Sequence, residues 1–192
     1  TMASIEGVKR DNTDGNYNGD MVFKTRSHNG NNITRMRLTD AGLCFGTDTA
    51  STNALDDYEE GTYTPQLLAS GGSGLTPTYT TQQGVYAKVG AIVYYSAEID
   101  WSAKSGDNSN NTSYLTVSLP FTPVNHSWGN STVQYNTGVE FDNGGAYCHH
   151  GHDGAYIYFW SPLDSGRLDY YPRTSNLHSS GSLYIAGVFR VA

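Results

Sequence analysis

The run Cys148-His149-His150-Gly151-His152-Asp153 contains the residue types most typical of a metal site. In a β-strand, residues two apart share a face, so His150 and His152 can point to the same side. Only one such pair is present, however, and it lies in a Gly-containing turn. We therefore predict no metal here and expect a surface loop whose histidines contact ligand or solvent. Cys148 lacks an orienting acid or a helix N-terminus, so we interpret it as a half-buried strand cysteine and not as a nucleophile.

Four carboxylates crowd one short stretch of the chain: Asp56, Asp57, Glu59 and Glu60. Glycosidases need two carboxyl groups roughly 5–9.5 Å apart across a sugar-sized cleft, and the part of the chain after this stretch offers no second acidic pole. A surface or subunit-interface role is favoured, with Arg35, Arg37 or Lys88 as charge partners. No serine-hydrolase, P-loop or dinucleotide motif occurs in a strand-to-helix context. The sequence therefore predicts no catalytic residues, no cofactor and no enzymatic activity.

Tyrosine and tryptophan are concentrated in the last third of the chain, among charged residues and histidines. Exposed Tyr and Trp give a large contact area at a low entropy cost, and their rings stack on the apolar faces of sugars. Part of this aromatic set is also expected in the core or at subunit contacts. The predicted ligand-binding residues are Tyr147, His150, His152, Asp153, Tyr156, Tyr158, Trp160 and Arg167.

Composition limits the classes of protein to which the chain can belong. It has 192 residues, of which 15% are charged and 37% hydrophobic, with 15 tyrosines and a net charge of −7. Eleven basic residues argue against binding to a nucleic-acid backbone. No apolar run approaches the roughly 20 residues of a membrane helix, so no membrane insertion is expected. Two distant cysteines do not support a disulfide framework.

The elements that would carry these residues are strands. Alternation of apolar and polar residues is clearest in 92–101, where one face carries Val93, Tyr95, Ala97, Ile99 and Trp101. The same alternation recurs in six further segments: 21–26, 33–38, 114–119, 132–141, 155–160 and 182–191. About nine head strands at this spacing are typical of an antiparallel β-sandwich or jelly roll. Turn residues fill 5–20, and no helical period is present. We divide the chain into a β-rich stalk (1–54), an acidic joint (55–65) and a β-sandwich head (66–192).

Several motifs, in this order, resemble the C-terminal regions of tailed-bacteriophage tail fibres and receptor-binding proteins. They are Gly19-Asp20-Met21-Val22-Phe23-Lys24-Thr25, Arg35-Met36-Arg37-Leu38-Thr39, Gly46-Thr47, Leu55 to Pro65, Gly84 to Val93, Val117-Ser118-Leu119-Pro120-Phe121 and Gly187-Val188-Phe189-Arg190. Tyr63 stands where the family more often has Trp. The stretch from His126 to Ser180 matches no motif of the family, so we expect any ligand specificity of the head to lie there.

The resemblance implies an intertwined homotrimer with a short β-stalk, attached to an upstream fibre shaft. A thin stalk sheet cannot bury its apolar face alone, but three copies around an axis can. The implied function is non-covalent recognition of a host cell-surface glycan or outer-membrane protein by a virion assembled in the host cytoplasm. Two alternatives remain open. One is a trimerisation or capping domain without a receptor, and the other is the terminal domain of a depolymerase tailspike.

Overall fold

A computed structural model describes residues 2–11, 13–15, 17–70, 74–106, 113–124, 129–141, 146–150, 154–160 and 172–192. Within these ranges the secondary structure consists of antiparallel β-strands and two single 3-10 turns, with no α-helix. The prediction of an all-β, antiparallel protein is therefore confirmed. The chain divides into two compact units, Thr1–Tyr58 and Glu59–Ala192, and the boundary lies inside the segment 55–65.

The first unit is built around one four-stranded sheet with its strands in sequence order. The strands are β1 (Ala3–Lys9), β2 (Gly19–Arg26), β3 (Asn32–Thr39) and β4 (Gly42–Phe45). The sequence did not predict β1, because the Asn, Asp and Gly residues that follow it dominated the interpretation of 5–20 as turns. Asn29-Gly30, a residue pair typical of hairpin turns, connects β2 to β3, and Asn29 adopts the left-handed conformation with φ of 59°.

The two faces of this first sheet differ sharply in exposure. Cross-strand pairs such as Ile5 with Phe23, Met21 with Leu38, and Met36 with Phe45 place apolar side chains on one side. We call this side the apolar face; its most exposed members are Ile5, Met21, Ile33, Leu38 and Phe45. Ile5 is 67% and Phe45 is 62% exposed, so the apolar face is uncovered in the single chain.

The opposite side of the first sheet buries Val22, Cys44 and an ion pair. The carboxylate of Asp20 lies 2.7 Å from the guanidinium of Arg10 and 2.8 Å from that of Arg37. Arg10 also reaches Asp40, at 2.7 Å. Burial raises the pKa of Asp20, but the two guanidiniums outweigh burial, and the net effect is a pKa below its usual value.

The second unit contains two sheets. The five-stranded sheet has the order β10 (Asn130–Asn136), β13 (Gly181–Arg190), β8 (Ile92–Ser105), β7 (Thr76–Val89) and β5 (Tyr58–Tyr63). The four-stranded sheet has the order β11 (Tyr147–His150), β12 (Tyr156–Trp160), β9 (Leu115–Ser118) and β6 (Leu67–Ala69). Both sheets contribute to one core, which includes Val93, Ile99 and Leu183 from the first and Leu115, Ile157 and Phe159 from the second. Two sheets around a shared core make this unit a β-sandwich.

The strand alternation predicted for the sandwich is largely confirmed. All five residues assigned to the buried face of β8, from Val93 to Trp101, are buried. The prediction is wrong for Tyr135, which was expected on the same side as Val133. A β-bulge between them shifts the register, so that Val133 pairs with Ile185 and Tyr135 with Tyr184. Val133 consequently packs against the core, whereas Tyr135 faces outward.

The acidic segment 55–65 contains the whole of strand β5, and before that strand Leu55 forms an isolated antiparallel bridge with Leu43. Within it, the Glu59 carboxylate accepts a hydrogen bond of 2.5 Å from the Tyr86 hydroxyl. Gly61 lies directly against the Tyr86 ring, where a Cβ atom would not fit. The expected charge partner Arg37 forms its ion pair with Asp20, and Arg35 donates to the Thr25 hydroxyl.

Candidate functional site

The register of the four-stranded sheet brings several predicted site residues together. Strands β11 and β12 pair antiparallel, with Tyr147 opposite Trp160 and His149 opposite Tyr158. Residues directly opposite each other in such a pair project from the same side of the sheet. Tyr156 lies two residues before Tyr158 and therefore shares that side as well. Ile157 and Phe159 alternate with these residues and are fully buried, so the aromatic side is the outward one.

We call this set the aromatic face and define it as Tyr147, His149, Tyr156, Tyr158 and Trp160. Tyr147, His149 and Tyr156 are exposed, while Tyr158 and Trp160 are half-buried. The rings of His149 and Trp160 are 5.9 Å apart, measured between centroids, and are tilted by 43°. The prediction that Tyr156, Tyr158 and Trp160 share a face is confirmed by this geometry, and Tyr147 joins them.

The aromatic face continues onto β9, the next strand of the sheet. Tyr158 is opposite Thr116, and Tyr156 is opposite Ser118. Thr116 is buried although it lies on the outward side, so the centre of the face is covered and its border is open. Beyond Thr116, the guanidinium of Arg173 stacks over the Tyr114 ring at 4.4 Å from the centroid. The site therefore combines flat aromatic surfaces with hydroxyl, imidazole and guanidinium groups.

Chemically, this arrangement suits stacking and hydrogen bonding. Aromatic rings present apolar faces on which the C–H face of a sugar can lie, and the neighbouring polar groups can bond to its hydroxyls. Among the residues that the structure describes, no group of three or more His, Cys, Asp or Glu side chains is arranged to hold a metal ion. The same described residues show no nucleophile activated by a neighbouring base on the aromatic face.

His150 lies on the other side of β11, facing the core. Its side chain is buried, and its Nε2 atom is 2.9 Å from the hydroxyl oxygen of Ser131. Burial, with a smaller effect from neighbouring His149, lowers the pKa of His150 to about 4, so the ring is neutral at physiological pH. The expectation of a surface loop is therefore wrong for His150, because strand alternation directs it inward. Its role as a ligand-binding residue stays a prediction that this position does not favour.

The remaining predicted site residues are only partly covered by the structure. His152, Asp153 and Arg167 lie outside the described residues, so their part in the site stays a prediction. Cys148 is half-buried, and burial raises the pKa of its thiol to about 12. Such a thiol is not ionised at neutral pH, which fits the interpretation of Cys148 as a strand cysteine.

Five residues of the site are absent from the predicted set: Tyr114, Thr116, Ser118, His149 and Arg173. His149 follows directly from alternation, because it lies between Cys148 and His150 and two residues from Tyr147. Thr116 and Ser118 depend on the pairing of β9 with β12, which are far apart in sequence. Only a signal for that long-range pairing could have identified them.

The chain was also compared with known proteins. No protein-family model matches the sequence, and no curated protein matches it. Among solved structures, the fold is similar to part of the crystal structure of the Dettilon tailspike protein, with a TM-score of 0.53 and 18% sequence identity. The similarity covers 69% of this chain and 24% of the tailspike chain. About two thirds of this chain therefore shares the fold of about a quarter of that tailspike.

The described part of the chain includes no helix of the length and hydropathy that a membrane-spanning helix requires.

Proposed function

We propose that this chain is a tail component of a bacteriophage virion that binds a host cell-surface glycan without covalent chemistry. The observation that carries the proposal is the aromatic face, where three tyrosines, a tryptophan and a histidine project from two paired strands. The fold similarity to a tailspike supports the virion assignment, and the family motifs in the sequence agree with it. The site would serve attachment of the virion to its host.

A glycan fits the aromatic face better than a nucleic acid does. The chain has a net charge of −7, which would repel a phosphate backbone. The described side chains of the aromatic face are three tyrosines, a tryptophan and a histidine. Sugar rings need no cationic groups for recognition, only flat apolar contact and directed hydrogen bonds.

We further propose that the chain functions as a homotrimer, with the apolar face of the first unit as the contact surface between copies. Five exposed apolar side chains on one face of a single sheet are unusual in a stable monomer. Association around an axis would remove them from water. It would also present three aromatic faces at once, which multiplies weak single-site contacts into useful avidity.

The test compares two tyrosines of equal exposure on opposite sheets. Tyr147 on the aromatic face and Tyr94 on the outer side of the five-stranded sheet are each 57% exposed. Wild-type protein, Tyr147→Ala and Tyr94→Ala would be applied to an array of bacterial lipopolysaccharide and capsular oligosaccharides. Loss of one stacking contact is worth about 1 kcal/mol, so Tyr147→Ala should weaken binding about fivefold per site. Tyr94→Ala should bind as the wild type does.

Four outcomes would count against these two proposals. Equal loss in both variants would show that the aromatic face is not the site. Absence of binding by the wild type, together with a stable trimer in light scattering, would favour a trimerisation or capping domain. Shortening of a bound polysaccharide during incubation would favour a depolymerase. A stable monomer at micromolar concentration would exclude the homotrimer.

A further inference from the structure

A buried chain of polar groups connects the two sheets of the second unit. Tyr95 on β8 and Ser131 on β10 belong to the five-stranded sheet, and His150 on β11 belongs to the four-stranded sheet. The hydroxyls of Tyr95 and Ser131 are 2.5 Å apart, and the Ser131 hydroxyl is 2.9 Å from Nε2 of His150. The aromatic face lies on the opposite side of the same strand and does not use these groups.

All three side chains are almost completely removed from solvent. Tyr95 and Ser131 are each 5% exposed, and His150 is 3% exposed. The imidazole packs against the ring of Phe189, with centroids 5.2 Å apart, and edge-on to Tyr95. The backbone of Gly129 lies against the Nδ1 side of the ring, where any larger residue would collide with it. The site is therefore built closely around an uncharged imidazole.

Among the residues that the structure describes, the groups that surround the imidazole offer it no negative charge. Its titratable neighbours are Tyr95 from β8, and Cys148 and His149 from its own strand. Burial raises the pKa of both the Tyr95 hydroxyl and the Cys148 thiol, so both are neutral at physiological pH. From the other strands packed against it, β10 and β13, the ring meets Ser131, Gly129 and Phe189. Protonation would place a cation there without a described counter-ion, which is costly in a buried site.

We propose that the Tyr95–Ser131–His150 chain is an acid-sensitive hydrogen-bond connection that holds the two sheets together only while His150 is neutral. With the proton on Nδ1, Nε2 accepts a hydrogen bond from Ser131, whose oxygen accepts one from Tyr95. A second proton, on Nε2, forces Ser131 to accept from the ring and to donate to Tyr95. The Tyr95 hydroxyl proton then loses its acceptor, and a charge is trapped between Phe189 and Tyr95. Separation of the edge strand β11 lets the Tyr95 hydroxyl find another acceptor and returns the charged imidazole to water.

The direction of the pH effect follows from linkage. In the unfolded chain the imidazole has its ordinary pKa of 6.5, whereas in the folded head the pKa is about 4. Between these values the unfolded state binds the proton and the folded state does not, so stability is complete above pH 6.5 and falls as the pH decreases towards 4. The ratio of folded to unfolded protein should fall on the order of 100-fold across this window.

The experiment is urea unfolding of the full chain at fixed protein concentration, at pH 7.5 and pH 4.5. His150→Gln removes the titrating ring and keeps a hydrogen-bond acceptor, while His149→Gln, at the exposed position next to it, is the matched control. Wild type and His149→Gln should lose on the order of 100-fold in the folding ratio of the second unit at pH 4.5. The decrease in the folding ratio of His150→Gln should be at least tenfold smaller. Equal losses in the two variants would overturn the proposal.

A second measurement keeps the proposal testable if His150→Gln does not fold. Nuclear magnetic resonance of the wild-type chain can follow the Cε1 proton of each histidine ring during an acid titration. The His150 signal should remain that of a neutral imidazole down to about pH 5 and change together with the loss of native signals from β11. A His150 ring that titrates near pH 6.5 in an intact fold would overturn the proposal.

Discussion

The two units of this chain use β-sheets in opposite ways. The first unit leaves the apolar side of its single sheet exposed and buries a charged cluster around Asp20 on the other side. The second unit buries its apolar sides between two sheets and exposes aromatic rings on one outer side. The difference shows that an exposed apolar surface can have two origins. In the first unit it is an unpartnered structural face, and in the second unit it is a candidate recognition surface.

The physical basis of this difference is the number of layers. A sandwich covers the inner side of each sheet with the other, so its stability is a property of one chain. A single sheet has no second layer, and isolated sheets of few strands are marginally stable in water. Under the trimer proposal, the first unit gains its second layer only from other copies. The following experiments test that contrast, beginning with the largest effect.

Truncation of one phenylalanine in each unit gives the largest expected effect. Phe159 is fully buried in the sandwich, and Phe159→Ala should lower the free energy of unfolding by about 4 kcal/mol at any protein concentration. Phe45→Ala on the apolar face should instead shift the melting temperature more at high than at low concentration, because its side chain becomes buried only on association. Calorimetry over a 50-fold concentration range measures both. A concentration-independent effect of Phe45→Ala would remove the contrast between the units.

Neutralisation of the buried carboxylate in the first unit should have a somewhat smaller effect. Asp20→Asn leaves Arg10 and Arg37 without their shared counter-charge and should cost about 3 kcal/mol. Asp40→Asn is the control, because Asp40 pairs with Arg10 at the surface and should cost less than about 1 kcal/mol. Chemical denaturation monitored by signals of the first unit would measure both, and similar costs would argue that Asp20 is not a structural centre.

Acid should affect the two units in different windows. The pKa of Asp20 lies below its ordinary value of 3.8, so its contribution is present above that value and is lost as the pH falls through the lower, folded-state pKa. His150 affects stability between pH 6.5 and about 4, because the folded state favours its uncharged form, whereas it favours the charged form of Asp20. Hydrogen exchange at pH 4.5 should therefore show loosening of β11 while β2 remains protected. Simultaneous loss in both strands would show that the units unfold together.

Addition of one methyl group gives the smallest predicted effect and tests local packing. A Cβ atom at Gly187 in β13 would collide with the Ser131 side chain and the Asn130 carbonyl. Gly187→Ala should therefore cost about 2 kcal/mol. Gly7→Ala in β1 is the control at low protein concentration, where the apolar face on which Gly7 lies is uncovered and no atom lies near the added methyl group. It should be neutral or stabilise by less than about 1 kcal/mol. Thermal melts of both variants give the comparison.

The sequence predicted those features of the fold that depend on alternation within one strand. The buried residues of β8 and the outward direction of Tyr156, Tyr158 and Trp160 both follow from a period of two. Prediction from the sequence failed where a bulge interrupts the alternation, or where distant residues determine which side of a strand faces the core. The bulge after Val133 reverses the direction of Tyr135, and no local residue signals it.

The candidate site shows the same limit. His150 was assigned to a surface loop because glycine and histidine surround it, yet it belongs to a strand whose alternate residues face the core. Its burial depends on contacts with Ser131 and Phe189, which lie 19 and 39 positions away in the chain. Pairing of this kind is a property of the tertiary structure, so the inward direction of His150 could not be predicted from its neighbours in sequence.

The strict alternation in β11 and β12 has a consequence for how such a surface can diverge. Within each strand, the residues of the aromatic face are separated by residues that face inward, for example Ile157 between Tyr156 and Tyr158. Substitutions at the outward positions change what the surface can bind without altering the packing between the sheets. New ligand preferences can therefore arise one side chain at a time, while the sandwich that supports them is maintained.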